Sequence, residues 1–413
     1  TREFYTPNEE RVNMAIGLGT LDVDNIFLYI GDAVRWDYSP ERLLDSGASV
    51  KTVSSSIHTP SSFSSIFSGN YLPQHGVTQF GQSLPSGMES LFDIPEINTY
   101  FSNTINDHFN TKPKSNSLIR DTLNISGDET ADISEMEPPF LHVERGPGGH
   151  APYGDFEGNA WNYFEERGNS ALSVFRDEYS KSIDYDLNWF EQQREKLADR
   201  DLLDDTLIIY TSDHGELLGE EGVLGHNSPI HPNLVYVPTV FIHKDIENED
   251  ISNRVMRHVD LFPTIASMYN YSVKPSPGRD LTSESFSGQG ACFYSKRFNT
   301  PLRYLPDGHL SYNSMWDFHG GHVFADSARR HRMIVLLGQL FQSCKRNFMR
   351  RHIGDNLLFY LHQNRSYHSP KFSASEAQSL IDEIIDLDGG SVTPSSIEGE
   401  IDQQQLRNLG YLE

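Results

Sequence analysis

Asn25-Ile-Phe-Leu-Tyr-Ile-Gly31-Asp32 and Thr206-Leu-Ile-Ile-Tyr-Thr-Ser212-Asp213-His214 read alike: seven residues without a charge, then an aspartate. Uncharged runs rich in Ile, Leu and aromatic residues predict strands buried on both faces. Residues 140–143, introduced by Pro138-Pro139, and residues 235–242 predict two more. Helical patterns separate them at 60–67, 171–197 and 259–269. Strands alternating with helices predict an α/β fold, with a large mixed, mostly parallel sheet flanked by helices. Ligands gather beyond the C-terminal strand ends of such sheets, so the aspartates delivered there are the first functional clue.

The Ser-, Pro- and Gly-rich stretch 272–290 predicts a boundary between a catalytic part, 1–285, and a smaller C-terminal α+β subdomain, 286–413. Within the latter, Ser373-Ala-Ser-Glu376 fits a capping box at the start of an amphipathic helix over 373–387. Seven Lys and Arg between Arg329 and Arg351 form a locally basic cluster, expected to be a solvated face or an intramolecular partner for the acidic body.

The chain has 413 residues, 33 Lys+Arg against 58 Asp+Glu, and a net charge of −25. That balance speaks against a nucleic-acid partner, whose phosphates need dense Lys and Arg. Cys292 and Cys344 are too few for a disulfide scaffold. No apolar run approaches the length of a membrane span, and no signal-peptide pattern opens the chain, so a cytoplasmic protein without membrane attachment is expected. Only 10 of the 33 basic residues are Lys. An acidic, Lys-poor surface fits a halophilic protein that stays hydrated in high salt.

Three segments carry candidate chemistry. Thr59-Pro60 starts a helix, with Thr59 expected as N-cap and Pro60 as the first helical residue. A hydroxyl there also sits where backbone N–H groups favour an anion, although it needs a metal or a base to become a nucleophile. Asp213-His214-Gly215 sets an oxygen and a nitrogen donor side by side at a strand end. His150 stands in the Gly/Pro-rich loop that follows the 140–143 strand.

Taken together, the motifs resemble the sulfatase-like branch of the alkaline phosphatase superfamily. The matching pieces are Asp32-x-x-Arg35-x-Asp37, Thr59-Pro-Ser-Ser-Phe-Ser-Ser-Ile-Phe-Ser-Gly69, Tyr71-x-Pro73-x-His75-Gly76 and His150-x-Pro-Tyr153. Ser212-Asp-His-Gly-Glu216 with Gly219-Glu220-x-Gly222 and His226 follows. Val237-Pro238, His258-Val-Asp260-Leu-Phe-Pro263-Thr264, Gly278-Arg-Asp-Leu281 and Leu409-Gly-Tyr-Leu412 continue the collinear order. The resemblance implies Asp32, Asp213 and His214 as ligands of a divalent metal, Thr59 as the metal-bound nucleophile, and His150 and His226 flanking the transferred group. A mixed Asp/His shell favours Zn or Mn, with Mg or Ca as alternatives.

Two departures shape the expected reaction. Sulfatases of the usual kind carry Cys or Ser at the nucleophile, then Pro two and Arg four residues on, and oxidise the nucleophile to formylglycine. Here Ser61 and Phe63 occupy those two positions, and a threonine would oxidise to a ketone. A Thr nucleophile resembles the phosphodiesterase and transferase relatives. The expected function is therefore metal-dependent hydrolysis of a small anionic phosphate or sulfate ester through a covalent Thr59 ester, with phosphate favoured. The alternatives are a sulfatase working without formylglycine, or a catalytically inert family member.

Overall fold

The first buried run forms strand β1 (Asn25–Gly31), and its two faces enter two different cores. Ile26, Leu28 and Ile30 pack with Phe63, Ile66 and Phe67. Phe27 and Tyr29 pack with Tyr179, Phe190 and Tyr210 on the other side. Each such side chain contributes about 1.5–3 kcal/mol relative to exposure, which is why so apolar a run is stable only as a central strand. The structure is a computed structural model that describes residues 16–104, 116–125, 132–298, 306–387 and 393–396.

The remaining strands of the main sheet are β2 (Ala48–Val53), β3 (Asn98–Asn103), β4 (Phe140–Gly146), β5 (Thr206–Ser212), β6 (Tyr236–Ile242) and β7 (Asp250–Arg257). Their order across the sheet is β7-β2-β6-β5-β1-β4-β3. Strand β6 runs antiparallel to both its neighbours, and the other pairs are parallel. The register places Gly31 opposite both Gly146 and Ser212. Asp32, the loop after β4 and Asp213 therefore leave the sheet at one edge. Helices α1 (Thr59–Ser68), α2 (Leu172–Asp199) and α3 (Leu261–Met268) flank this sheet.

A second sheet follows, antiparallel throughout, of β8 (Gly290–Phe298), β9 (Gly308–Asp317), β10 (Gly320–Ala325) and β11 (Asn364–His368). On one face, helix α4 (Arg329–Phe341) packs Val335, Leu336 and Leu340 against Tyr312, Trp316 and Val323. Helices α5 (Arg346–Arg351) and α6 (Ile353–Leu361) adjoin it. On the other face, α7 (Ala374–Asp386) packs Ala377 and Ile381 against Ala291, Phe293 and Met315. The Ser373–Glu376 capping box is made, with each side chain bonded to the other's backbone N–H. Among the described residues, no helix is long and apolar enough to cross a membrane. The Leu409–Leu412 motif lies outside the described residues.

Candidate active site

Helix α1 is buried along its whole length although five of its ten residues are serines. Each hydroxyl is bonded. Ser64 and Ser68 bond back to Pro60 and Ser64 carbonyls, Ser61 to the Val77 carbonyl, and Ser65 meets His75 Nε2. Ser62 donates to the Asp213 carbonyl at 2.6 Å and fastens the helix start to the end of β5. The helix begins one residue earlier than expected: His58 is the N-cap, Thr59 the first helical residue and Pro60 the second. The Thr59 hydroxyl is not a cap. It lies 3.2 Å from His214 Nε2, because the strand-end loop at 213–215 covers the N-terminus of α1.

His214 is held in one orientation. Its Nδ1 sits 2.9 Å from the Gly215 carbonyl, which makes Nδ1 the protonated nitrogen and turns the Nε2 lone pair towards Thr59. Gly215 is required here, since a Cβ would come within 2.0 Å of the Asn233 carbonyl oxygen. Asp213 Oδ1 accepts from the Ala33 and His214 backbone N–H groups, both at 2.9 Å. Its other oxygen, Oδ2, is buried and has no hydrogen-bond partner among the described residues. Ligand atoms of Asp32, Asp213 and His214 all lie within 4.8 Å of one another, and all three residues are buried. An orphaned carboxylate oxygen beside a second carboxylate and an imidazole lone pair fits a divalent cation.

Arg145, at the end of β4, was not singled out from the sequence, yet it completes this cluster. Its guanidinium bonds Asp32 Oδ2 through Nε at 3.1 Å and through Nη2. Burial would raise the Asp32 carboxyl; Arg145, helped by His150 and His214, reverses the shift and holds it below the usual range. Asp213 is pushed up instead, by burial and then by the Asp32 charge. The Arg145 guanidinium also lies 5.7 Å from the ring of Phe63, the residue standing where usual sulfatases carry arginine. A cation missing from one turn of α1 is thus supplied beside it from another strand.

The loop after β4 carries His150 back over the site. Gly148 has φ +56°, and a Cβ there would fall 1.9 Å from the Asp32 carbonyl oxygen. Asp186 of α2 anchors the loop, accepting from Gly148 N, Tyr29 Oη and Tyr210 Oη, each at 2.8 Å. The His150 and His226 ring centroids are 5.7 Å apart, and those of His226 and His214 4.4 Å apart. The structure therefore brings together all six residues selected from the sequence: Asp32, Thr59, His150, Asp213, His214 and His226. Arg35 serves the scaffold, bonding Asp37 and Glu220, and His231 caps a short helix through Asn233 N.

His226 has a partner that sequence reasoning left unassigned. Its Nδ1 is 3.0 Å from Glu216 Oε2, while its Nε2 is buried without a hydrogen-bond partner among the described residues. Burial lifts the Glu216 carboxyl to about 7, against the pull of Lys345. Burial, then His214, His150 and Lys345, push the His226 imidazole well down. Lys345 approaches over Gly225, where a Cβ would meet Lys345 Nζ and lie 3.2 Å from Glu216 Oε1. Lys296 of β8 bonds Asn227 Oδ1 at 2.7 Å and lies 3.4 Å from Nε2 of His58, the neighbour of Thr59. Three buried cations, Arg145, Lys296 and Lys345, thus surround the site of a chain with net charge −25.

Comparison with known proteins agrees with this geometry. A family model described as Sulfatase matches residues 137–271. The low-salt glycan biosynthesis sulfotransferase Agl7 of Haloferax volcanii is 30% identical over 410 residues, covering 95% of this chain and 98% of the relative. Among solved structures, a 2-O GAG sulfatase aligns with a TM-score of 0.58 at 10% identity, over 91% of this chain and 95% of its own. A Bacteroides thetaiotaomicron protein from a locus for metabolism of multiple glycosaminoglycans aligns with a TM-score of 0.55 at 13% identity, over 74% and 87%. The chain belongs to the sulfatase family of the alkaline phosphatase superfamily, hydrolases acting on ester bonds.

Proposed function

We propose that this protein transfers the sulfuryl group of a sugar sulfate ester through a covalent ester on Thr59, delivering it to a sugar hydroxyl, with water as the competing acceptor. The observation that carries the reading is the Thr59 hydroxyl, 3.2 Å from His214 Nε2 inside the Asp32–Asp213–His214 cluster. Full-length similarity to a protein named for glycan biosynthesis sulfotransfer supports sulfate over phosphate; the phosphate preference expected from threonine finds no support in the comparisons.

The choice of threonine bears on the acceptor. The hydrate of a formylglycine aldehyde carries a second hydroxyl on the same carbon, which can expel sulfate and so commits that enzyme to hydrolysis. A threonine sulfate lacks that hydroxyl. It persists until another oxygen attacks sulfur, which is what a transferase requires.

Asp32, Asp213, His214 and Thr59 would hold a divalent cation, and their mixed oxygen and nitrogen donors suit Zn²⁺ or Mn²⁺. When bound it supplies Lewis acidity, lowering the pKa of the Thr59 hydroxyl and drawing charge from the sulfuryl oxygens. Thr59 Oγ1, its proton released to solvent and recovered from it when the sulfuryl group leaves again, attacks sulfur in line, and the bond from sulfur to the leaving sugar oxygen breaks. The N-terminus of α1 and the Arg145 guanidinium supply positive potential beside Thr59. His226 gives its Nε2 proton to the leaving alkoxide, while Glu216, protonated near neutral pH, passes its own to Nδ1. The second half retraces the first: the acceptor hydroxyl returns a proton to His226 as its oxygen takes sulfur from Thr59.

The test uses p-nitrophenyl sulfate as donor, with and without a hexose acceptor. Transfer predicts faster nitrophenol release with the acceptor present, and sulfate recovered on the sugar. Equal amounts of free sulfate and nitrophenol under all conditions would leave hydrolysis alone. Undiminished turnover by Thr59→Ala would remove the reading altogether.

A further inference from the structure

Between Arg329 and Arg351 there are seven Lys and Arg and no Asp or Glu, in a chain whose 58 acids average about one in seven residues. The catalytic site uses only Lys345 of these, and Arg332 is buried against the His362 carbonyl and Gln363. Arg329, Arg330, Arg350 and Arg351 are exposed, and none joins an ion pair among the described residues; Arg350 donates to the Leu340 carbonyl, and Arg351 to the carbonyls of Gly168, Asn169 and Ser170. The same surface exposes large apolar side chains. Of the eight exposed large apolar or aromatic side chains among the described residues, five lie on α4 and α6: Leu337, Phe341, Ile353, Leu357 and Leu358. Phe341 and Leu358 are 63% and 62% exposed, and the Arg350 guanidinium lies 5.2 Å from the Phe341 ring centroid.

We propose that the α4–α6 face is a membrane-docking surface for a bilayer with anionic headgroups. Exposed leucine, isoleucine and phenylalanine flanked by arginine is the composition of interfacial segments, whose apolar side chains enter the acyl boundary while guanidinium groups meet headgroup phosphates. Charge complementarity selects this occupant. A symmetric contact between two copies of this face would bring two arginine-rich patches of the same sign together. The face is tied to the catalytic loop: Asn356 of α6 donates to the Gly222 carbonyl, and Lys345 reaches Glu216. Docking there holds the site beside the membrane surface. The proposal is independent of the reaction assigned to Thr59.

The test is co-sedimentation of the full chain with vesicles of equal parts phosphatidylglycerol and phosphatidylcholine, compared with phosphatidylcholine alone. The wild type is expected to bind the anionic vesicles. Phe341→Ser with Leu358→Ser should lower that binding about tenfold or more, with an unchanged melting temperature. Arg329→Glu with Arg330→Glu should remove the preference for phosphatidylglycerol. Failure of the wild type to sediment with either vesicle overturns the proposal, as does equal binding by the serine variant. Light scattering that shows a wild-type dimer split by the serine pair also overturns it, in favour of a second copy.

Discussion

Replacing Arg145 by methionine removes a guanidinium and keeps most of its apolar length. Arg145 and Asp32 are both buried, their side chains 3% and 0% exposed, and Asp213 lies in the same cluster. Without the guanidinium, the chain folds around two carboxylates that have lost their principal countercharge. Breaking a buried pair by removing one partner costs about 3–5 kcal/mol, because the remaining charge stays desolvated. The sign with pH follows from Asp32. Its carboxyl is held below 3.8 in the native protein, so its pairing contributes stability above that value and loses it as pH falls. In Arg145→Met the same carboxyl is raised by burial, so the gap between variant and wild type narrows as pH drops towards 4. Urea unfolding with a chelator should show the full loss. With saturating Mn²⁺ or Zn²⁺ the loss should shrink to about 1–2 kcal/mol, the cation restoring positive charge where the arginine supplied it. A loss under about 1 kcal/mol, or the same loss with and without cation, would show that this cluster is not the balanced charge site described above.

Glu216→Gln should separate proton delivery from attack. Turnover of an alkyl sulfate, whose leaving group needs a proton, should fall about 10²-fold or more, while p-nitrophenyl sulfate changes little. Comparable losses on both donors would count against the Glu216–His226 relay. His75 is buried and neutral, its pKa pushed down to about 3 by desolvation. Its folded pKa lies below the unfolded value of about 6.5, so stability is lost as pH falls below that value, by about 2 kcal/mol between pH 7 and 5. His75→Gln should remove that share of the pH dependence in urea titrations, and an unaltered slope would contradict it. The charge of −25 with only 10 Lys predicts that the melting temperature rises steeply with KCl; full stability without molar salt would end the halophilic reading.

Much of the fold could be read locally because the central strands are buried on both faces, and two of the runs end where an aspartate, Asp32 or Asp213, leaves the sheet. Asp213, His214 and Thr59 stand at ends of elements where turn and cap chemistry alone would account for them, and the family resemblance is what singled them out. The cations were less legible. Arg145 and Lys296 reach the site through strand register and sheet-to-helix packing, which no local pattern encodes. Glu216 stood within a recognised motif, but its role appears only when the loop carrying Gly219, Gly222 and Gly225, all at positive φ, folds His226 back onto it. The basic cluster at 329–351 was read as one solvated or intramolecular face. Both readings hold in part: Arg346 pairs with Glu165 and Lys345 reaches Glu216, Arg332 is buried, and the exposed arginines Arg329, Arg330, Arg350 and Arg351 lie among apolar side chains. The one-residue error at the start of α1 has a plain cause: Thr-Pro has the form of a cap, and the hydroxyl is engaged by His214 instead.

The central claim is that sulfur is bonded to Thr59 between the two halves of the reaction. The direct measurement is accurate-mass analysis of the Thr59 peptide after acid quench during turnover of a sulfate ester, with divalent cation present. The account predicts one added SO₃ on Thr59, absent after chelation and absent in Thr59→Ala, and discharged when a sugar acceptor is supplied before the quench. Turnover at full rate with no adduct on that peptide, or with Thr59→Ala active, would contradict it.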